Sequence, residues 1–123
     1  MPVLFDHIEI HVDDIPRYCE FLTALFGGGR YRQINEAGFH MYLTPEGQAF
    51  ELKPKATDLP AARSGFCLPC IRTSDARAHL ERLGLAIDES AALPDGSVHF
   101  FTDHEGIQWH VKEYDHADAY VRW

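Results

Sequence analysis

Apolar and polar positions along this chain repeat with two periods that follow one another in a regular order. Residues 3–12 keep a period of two: Ile8, Ile10 and Val12 fall on one side, and His7, Glu9 and His11 fall on the other. This predicts a strand with one apolar face and one ionisable face. Asp13 and Asp14 then offer side-chain oxygens to a helix start, and Pro16 sits in the first turn, where its missing N–H is harmless. Ile15, Tyr18, Cys19, Leu22, Leu25 and Phe26 recur at three- and four-residue spacing, so an amphipathic helix is expected, ended by Gly27, Gly28 and Gly29. A phosphate-cradling glycine loop precedes its helix; these glycines follow one and read as a stop. Residues 30–35 return to an extended pattern, and residues 39–53 read as strand, turn at Glu46 and Gly47, and strand.

The last of these stretches occurs twice. Residues 39–53 are echoed by residues 98–112, with Glu51 and His110 separated by 59 positions. At that offset His40 falls on His99, Glu46 and Gly47 on Glu105 and Gly106, Lys53 on Lys112, and apolar Phe50 and Leu52 on apolar Trp109 and Val111. A hairpin repeated at such a distance implies two copies of one module. Between them, residues 54–63 carry two prolines and many small and polar residues, as a connector does. The second half restarts with a strand at residues 66–71, a helix capped by Thr73 or Ser74 that runs through Ala76, Leu80 and Leu83 to Gly84, and a weaker strand at 85–91. The offset of 59 carries His7 onto Phe66 and Val12 onto Ile71. The expected architecture is α+β, one domain of two tandem βαβββ modules at about 3–54 and 64–114, with a C-terminal tail at 115–123.

Composition narrows the function classes. A chain of 123 residues, 46% hydrophobic, suffices for one globular core. No apolar run is long enough for a membrane span, and the N-terminus lacks a signal-like stretch, so a soluble cytoplasmic protein is expected. With 19 acidic against 11 basic residues, the net charge of −8 disfavours nucleic acid as a partner. Three cysteines are too few for a disulfide scaffold, and Cys67 and Cys70 lie in a strand-like run with no helix N-terminus to activate a thiol.

In order and doubling, several stretches resemble the glyoxalase, bleomycin-resistance and extradiol-dioxygenase superfamily, the vicinal oxygen chelate fold. They are residues 6–8 and 12–14 around the first strand, Phe50, Glu51 and Leu52 closing the first module, and residues 101–110 closing the second. The resemblance runs from about Leu4 to Glu113. It implies a curved mixed sheet around a central cleft, with the helices on the outer face. It also implies a metal held by the first and last strands of each module, at His7, Glu51, Phe66 and His110 in this sequence. Phenylalanine cannot bind an ion, so the implied set is His7, Glu51 and His110, which suits a divalent Fe, Mn, Ni or Zn. Dioxygenase-like members place a histidine where Phe66 stands and a glutamate where His110 stands, so neither their activity nor that of the isomerase-like members transfers whole.

Two functional readings follow. One is a metal-dependent lyase, isomerase or dioxygenase acting on a small oxygen-bearing substrate, with Glu9 and Glu51 as catalytic carboxylates. The other is a metal-free small-molecule binder of the drug-sequestering kind. His11, Phe66, Lys53 and Lys112 are the candidate substrate contacts, although strand-end lysines also serve simply as solvated groups. Tyr31, Tyr42 and Phe101 read as core aromatics. A homodimer is the assembly the resemblance implies.

Overall fold

In a computed structural model, residues 5–55, 69–93 and 96–114 are described. The chain divides into two compact units after Gly65. The first contains β1 (His7–Val12), α1 (Ile15–Phe26), β2 (Arg30–Gln33), β3 (His40–Leu43) and β4 (Ala49–Pro54). The second contains β5 (Cys70–Arg72), α2 (Ala76–Arg82), β6 (Glu89–Leu93), β7 (Gly96–Thr102) and β8 (Gln108–Tyr114). Each unit is one mixed four-stranded sheet with one helix, in the orders β1-β4-β3-β2 and β5-β8-β7-β6. The first and last strands of each unit run parallel, and the others pair antiparallel. The fold is therefore α+β in two tandem βαβββ modules, as the periodicity and the repeat imply. Among the described residues no helix is long and apolar enough to cross a membrane.

Side chains sort by strand parity. In the first unit Ile10, Val12, Tyr42, Phe50 and Leu52 are buried with Ile15, Tyr18, Cys19, Leu22 and Leu25 of α1. The helix begins as its sequence predicts, with the Asp14 carboxylate accepting from the Arg17 N–H at 3.1 Å. It ends at Gly27, whose φ of 76° is the left-handed stop. Gly29 is needed for a different reason: its φ is +105°, and a Cβ there would lie 2.6 Å from the Tyr42 hydroxyl oxygen. That hydroxyl donates to the Gly28 carbonyl at 2.6 Å and the Leu22 carbonyl at 3.2 Å, tying the end of α1 to β3.

The second unit buries Ala76, Leu80, Val98, Phe101, Trp109 and Val111, with the Phe101 and Trp109 rings stacked at 6.0 Å. His99 is also buried here, and it is satisfied by the hydroxyls of Ser90 and Ser97, at 2.7 Å and 3.2 Å. Thus the repeated histidine of module two is a core residue.

Three boundaries differ from expectation. The second helix is capped at Asp75 rather than Thr73 or Ser74, because the Thr73 hydroxyl is turned to the Asp75 carboxylate at 3.1 Å. The weak strand lies at Glu89–Leu93, shifted toward its hairpin partner β7. The first-strand register also moves. Glu9 pairs with Glu51, whereas Cys70 pairs with His110, so the counterpart of Glu9 is 61 residues on rather than 59. The physical cause is the shorter second helix, 7 residues against 12, which leaves fewer residues between first strand and hairpin. Ile71 is accordingly the counterpart of Ile10 rather than of Val12; Phe66 and Cys67 lie outside the described residues. The tail and most of the connector lie outside them as well.

Candidate functional site

The ionisable face of β1 and the matching face of β4 form one polar surface. Parallel pairing sets His7 beside Ala49, Glu9 beside Glu51, and His11 beside Lys53. A pleated strand turns every second side chain the same way, so His7, Glu9, His11, Glu51 and Lys53 share a face opposite the buried Ile10, Val12, Phe50 and Leu52. Five of the residues singled out from sequence thus stand together in the first unit.

Their contacts are polar and short. The His7 Nδ1–H donates to the Asp6 carboxylate at 2.7 Å, which leaves Nε2 4.0 Å from Glu51 Oε1. Lys53 Nζ lies 2.6 Å from Glu9 and 3.2 Å from Glu51, and its ammonium sits over the Phe39 ring at 4.9 Å. The other oxygen of Glu9 accepts from His11 Nε2 at 2.7 Å. His11 Nδ1 is buried and has no hydrogen-bond partner among the described residues. These contacts set the charge states. The Lys53 and His11 hydrogen bonds hold the Glu9 carboxyl down at about 2. Asp6, with help from Glu51, raises His7 above the usual imidazole value, and Glu9 raises Lys53.

The residues can be tested against a divalent ion. An imidazole whose Nδ1 is fixed by a carboxylate, with Nε2 free, is the arrangement in which histidine ligates metals. Two bonds of about 2.1 Å reach across at most about 4.2 Å, and the His7–Glu51 separation of 4.0 Å lies just inside that span. Neighbouring ligand atoms of a tetrahedral or octahedral ion stand about 3.0–3.4 Å apart, so the pair would close by under about 1 Å to share one. Among the described residues, no third His, Cys, Asp or Glu completes a metal cluster.

In the second unit the corresponding face carries Cys70 and Arg72 on β5, and His110 and Lys112 on β8. His110 packs edge-on against Phe100, with ring centroids 4.6 Å apart. Of the expected core aromatics, Tyr42 and Phe101 are fully buried, but Tyr31 is 43% exposed on β2. Sequence reading passed over Asp6 and Phe39, although Asp6 directly precedes His7 and Phe39 is one residue before β3. It also passed over Arg30 and Arg32, whose period-two spacing was the available signal. These two line a cavity of about 460 Å³ with Tyr31, Ile34, Met41 and Leu43.

With the modules and their polar faces established, comparison with known proteins defines the class. The family model of the Glyoxalase/Bleomycin resistance protein/Dioxygenase superfamily matches residues 4–111, and the chain belongs to that superfamily. Among curated proteins no match was found. Solved structures share the fold at low identity. A glyoxylase/bleomycin resistance protein/dioxygenase domain from Frankia sp. EAN1pec superposes with a TM-score of 0.69 at 16% identity, covering 93% of this chain and 99% of that one. An integron cassette protein from the mobile metagenome of V. Cholerae gives 0.64 at 24% identity, covering 94% and 98%. The fosfomycin resistance protein FosX from Listeria monocytogenes, complexed with Mn(II) and sulfate ion, gives 0.70 at 12% identity, covering 99% and 98%.

Proposed function

We propose that this chain is a metal-dependent enzyme that converts a small oxygen-bearing substrate, with His7 and Glu51 as ligands of a divalent ion. The observation that carries the reading is the His7–Glu51 pair: an imidazole oriented by Asp6 and a carboxylate on the neighbouring parallel strand, 4.0 Å apart. The Mn(II) complex of FosX, a protein of the same fold, supports it at the level of the superfamily. His110 lies on the strand of module two that matches Glu51, the position at which the resemblance implies a further ligand.

A bound ion would polarise a substrate oxygen and stabilise an oxyanion formed there. Around it, Asp6 fixes the His7 tautomer and Lys53 presents a positive charge beside Glu51. Glu9, held at about 2, is a weak base near neutral pH; in this reading it holds Lys53 and His11 in position rather than abstracting a proton.

A second reading has an observation of its own. Lys53 already neutralises Glu51 from 3.2 Å, as a metal would, which suits a metal-free binding protein. Elemental analysis of protein purified without a histidine tag and reconstituted with Fe(II), Mn(II), Ni(II) or Zn(II) separates the two. The enzyme reading expects stoichiometric metal that is lost in His7→Ala. Failure to take up any of these ions in the parent would leave the binding-protein reading.

A further inference from the structure

The polar face of the first sheet continues beyond the residues just described. From the strand registers, one row across the sheet runs Glu9, Glu51, Met41, Arg32, and the next runs His7, Ala49, Leu43, Arg30. β2 is the edge strand, and all four of its residues are exposed. The two rows therefore begin at Glu9 and His7, cross an apolar floor of Met41 and Leu43, and end at two guanidiniums. The cavity of about 460 Å³ lies over that far end, lined by Arg30, Arg32, Met41 and Leu43 with Tyr31 and Ile34. Its size is that of a small-molecule pocket.

Among the described residues, the charges at this end stand without carboxylates. Lys53, Lys55 and Arg82 each have an acidic partner within 4.0 Å, but among the described residues neither Arg30 nor Arg32 has one. This holds in a chain with 19 acidic residues against 11 basic. A planar guanidinium offers a fork of donors that matches the paired oxygens of a carboxylate or a phosphoryl group. Met41 and Leu43 beside it offer contact for a hydrocarbon part.

We propose that Arg30 and Arg32, with the Met41–Leu43 floor, form a subsite for the anionic group of an amphipathic small molecule, an organic carboxylate or phosphoryl compound. The inference deepens the proposed function by naming the charge class of its substrate, and rests on that reading only for the identity of the bound molecule as substrate. Adjacent strands are about 4.8 Å apart, so Arg32 and Glu51 are separated by about 10 Å of sheet. A short carbon skeleton bridges that distance, with its anion at β2 and its oxygens at β1 and β4. The subsite itself needs no metal.

The test uses hexanoate and hexyl phosphate as probes, with hexanamide as the uncharged counterpart of hexanoate, on full-length metal-free protein. Binding is followed by calorimetry and by chemical shifts of the Met41 and Leu43 methyl groups. At least one anion is expected to bind about tenfold more tightly than hexanamide, with the gap narrowing as salt is raised. Arg30→Gln together with Arg32→Gln should bring the ratio to about unity, while hexanamide binding and the melting temperature stay as in the parent. The tighter of the two anions names the head group.

Equal binding of both anions and hexanamide to the parent would overturn the subsite and leave the arginines as edge-strand charges that discourage sheet-to-sheet pairing. Anion discrimination that survives in the double variant would overturn it too. His7→Ala separates this inference from the metal reading: it should abolish metal uptake and leave the anion-to-amide ratio unchanged. A parent that discriminates anions but takes up no metal keeps the subsite and refutes the metal enzyme.

Discussion

Lys53 decides what the polar face of the first sheet can do, because its ammonium engages Glu9 at 2.6 Å and Glu51 at 3.2 Å. The Glu9 carboxyl consequently lies at about 2, below its ordinary 4.5. A carboxyl depressed on folding contributes stability that is fully present above its unfolded value and is lost as pH falls toward its folded one. In the metal-free protein, Glu9 therefore favours the folded state above about pH 4.5, and that contribution disappears between about pH 4.5 and 2. Replacing Lys53 by Met keeps an apolar stem over Phe39 and removes the charge. Carboxyl titration by NMR should then show the Glu9 midpoint rising toward 4.5, with a shallower loss of stability across that window. A midpoint unmoved by Lys53→Met would mean that His11 alone holds the carboxylate.

The two hairpins show one sequence pattern executed with different side chains. At both turns the backbone closes identically: Thr44 N–H donates to Gln48 O at 2.9 Å, and Asp103 N–H to Ile107 O at 2.9 Å. Each turn is also braced by the residue that opens it, and the braces differ in strength. The Thr44 hydroxyl accepts from Gln48 N–H at 3.0 Å. The buried Asp103 carboxylate accepts from Glu105 N–H at 2.9 Å, Ile107 N–H at 3.0 Å and the Trp109 indole N–H at 2.9 Å. Removing several bonds to a charged acceptor strands buried donors, so Asp103→Ala should cost about 2–4 kcal/mol, and Thr44→Ala about 0.5–1.5 kcal/mol. Urea unfolding at constant m-value measures the difference, and equal losses would contradict it.

The hairpins were legible in the sequence because period two, aromatic residues and a Glu-Gly turn all act locally. The first-strand correspondence was not. Strands β5 and β8 are brought side by side by everything between them, and a shorter helix moves the pairing by two residues without changing which face each residue occupies.

The two modules share a fold but not the side chains on the corresponding face. On the face where β1 and β4 carry Glu9, His11, Glu51 and Lys53, strands β5 and β8 carry Cys70, Arg72, His110 and Lys112. The carboxylates of module one have no counterpart on those two strands. If the proposed ion is present, elemental analysis against quantitative amino-acid analysis should therefore find about one ion per chain rather than one per module. Two would show that module two holds an ion of its own.

What the sequence determined by itself is the order of elements, the duplication and the face each strand residue occupies. Alternation, helical spacing, capping and glycine stops are short-range properties that the backbone obeys wherever the segment lies. The polar residues of β1 and β4 could accordingly be assigned to one face before their neighbours were known. Only the tertiary structure decided which of them touch: the Asp6–His7–Glu51 line, the capture of Glu9 by Lys53, and the alignment of Arg30 and Arg32 with the rows that begin at His7 and Glu9. Apart from Asp6 and His7, which are neighbours, they join residues more than twenty positions apart. They depend on strand register, which is set by packing along the whole sheet rather than by any one stretch of chain.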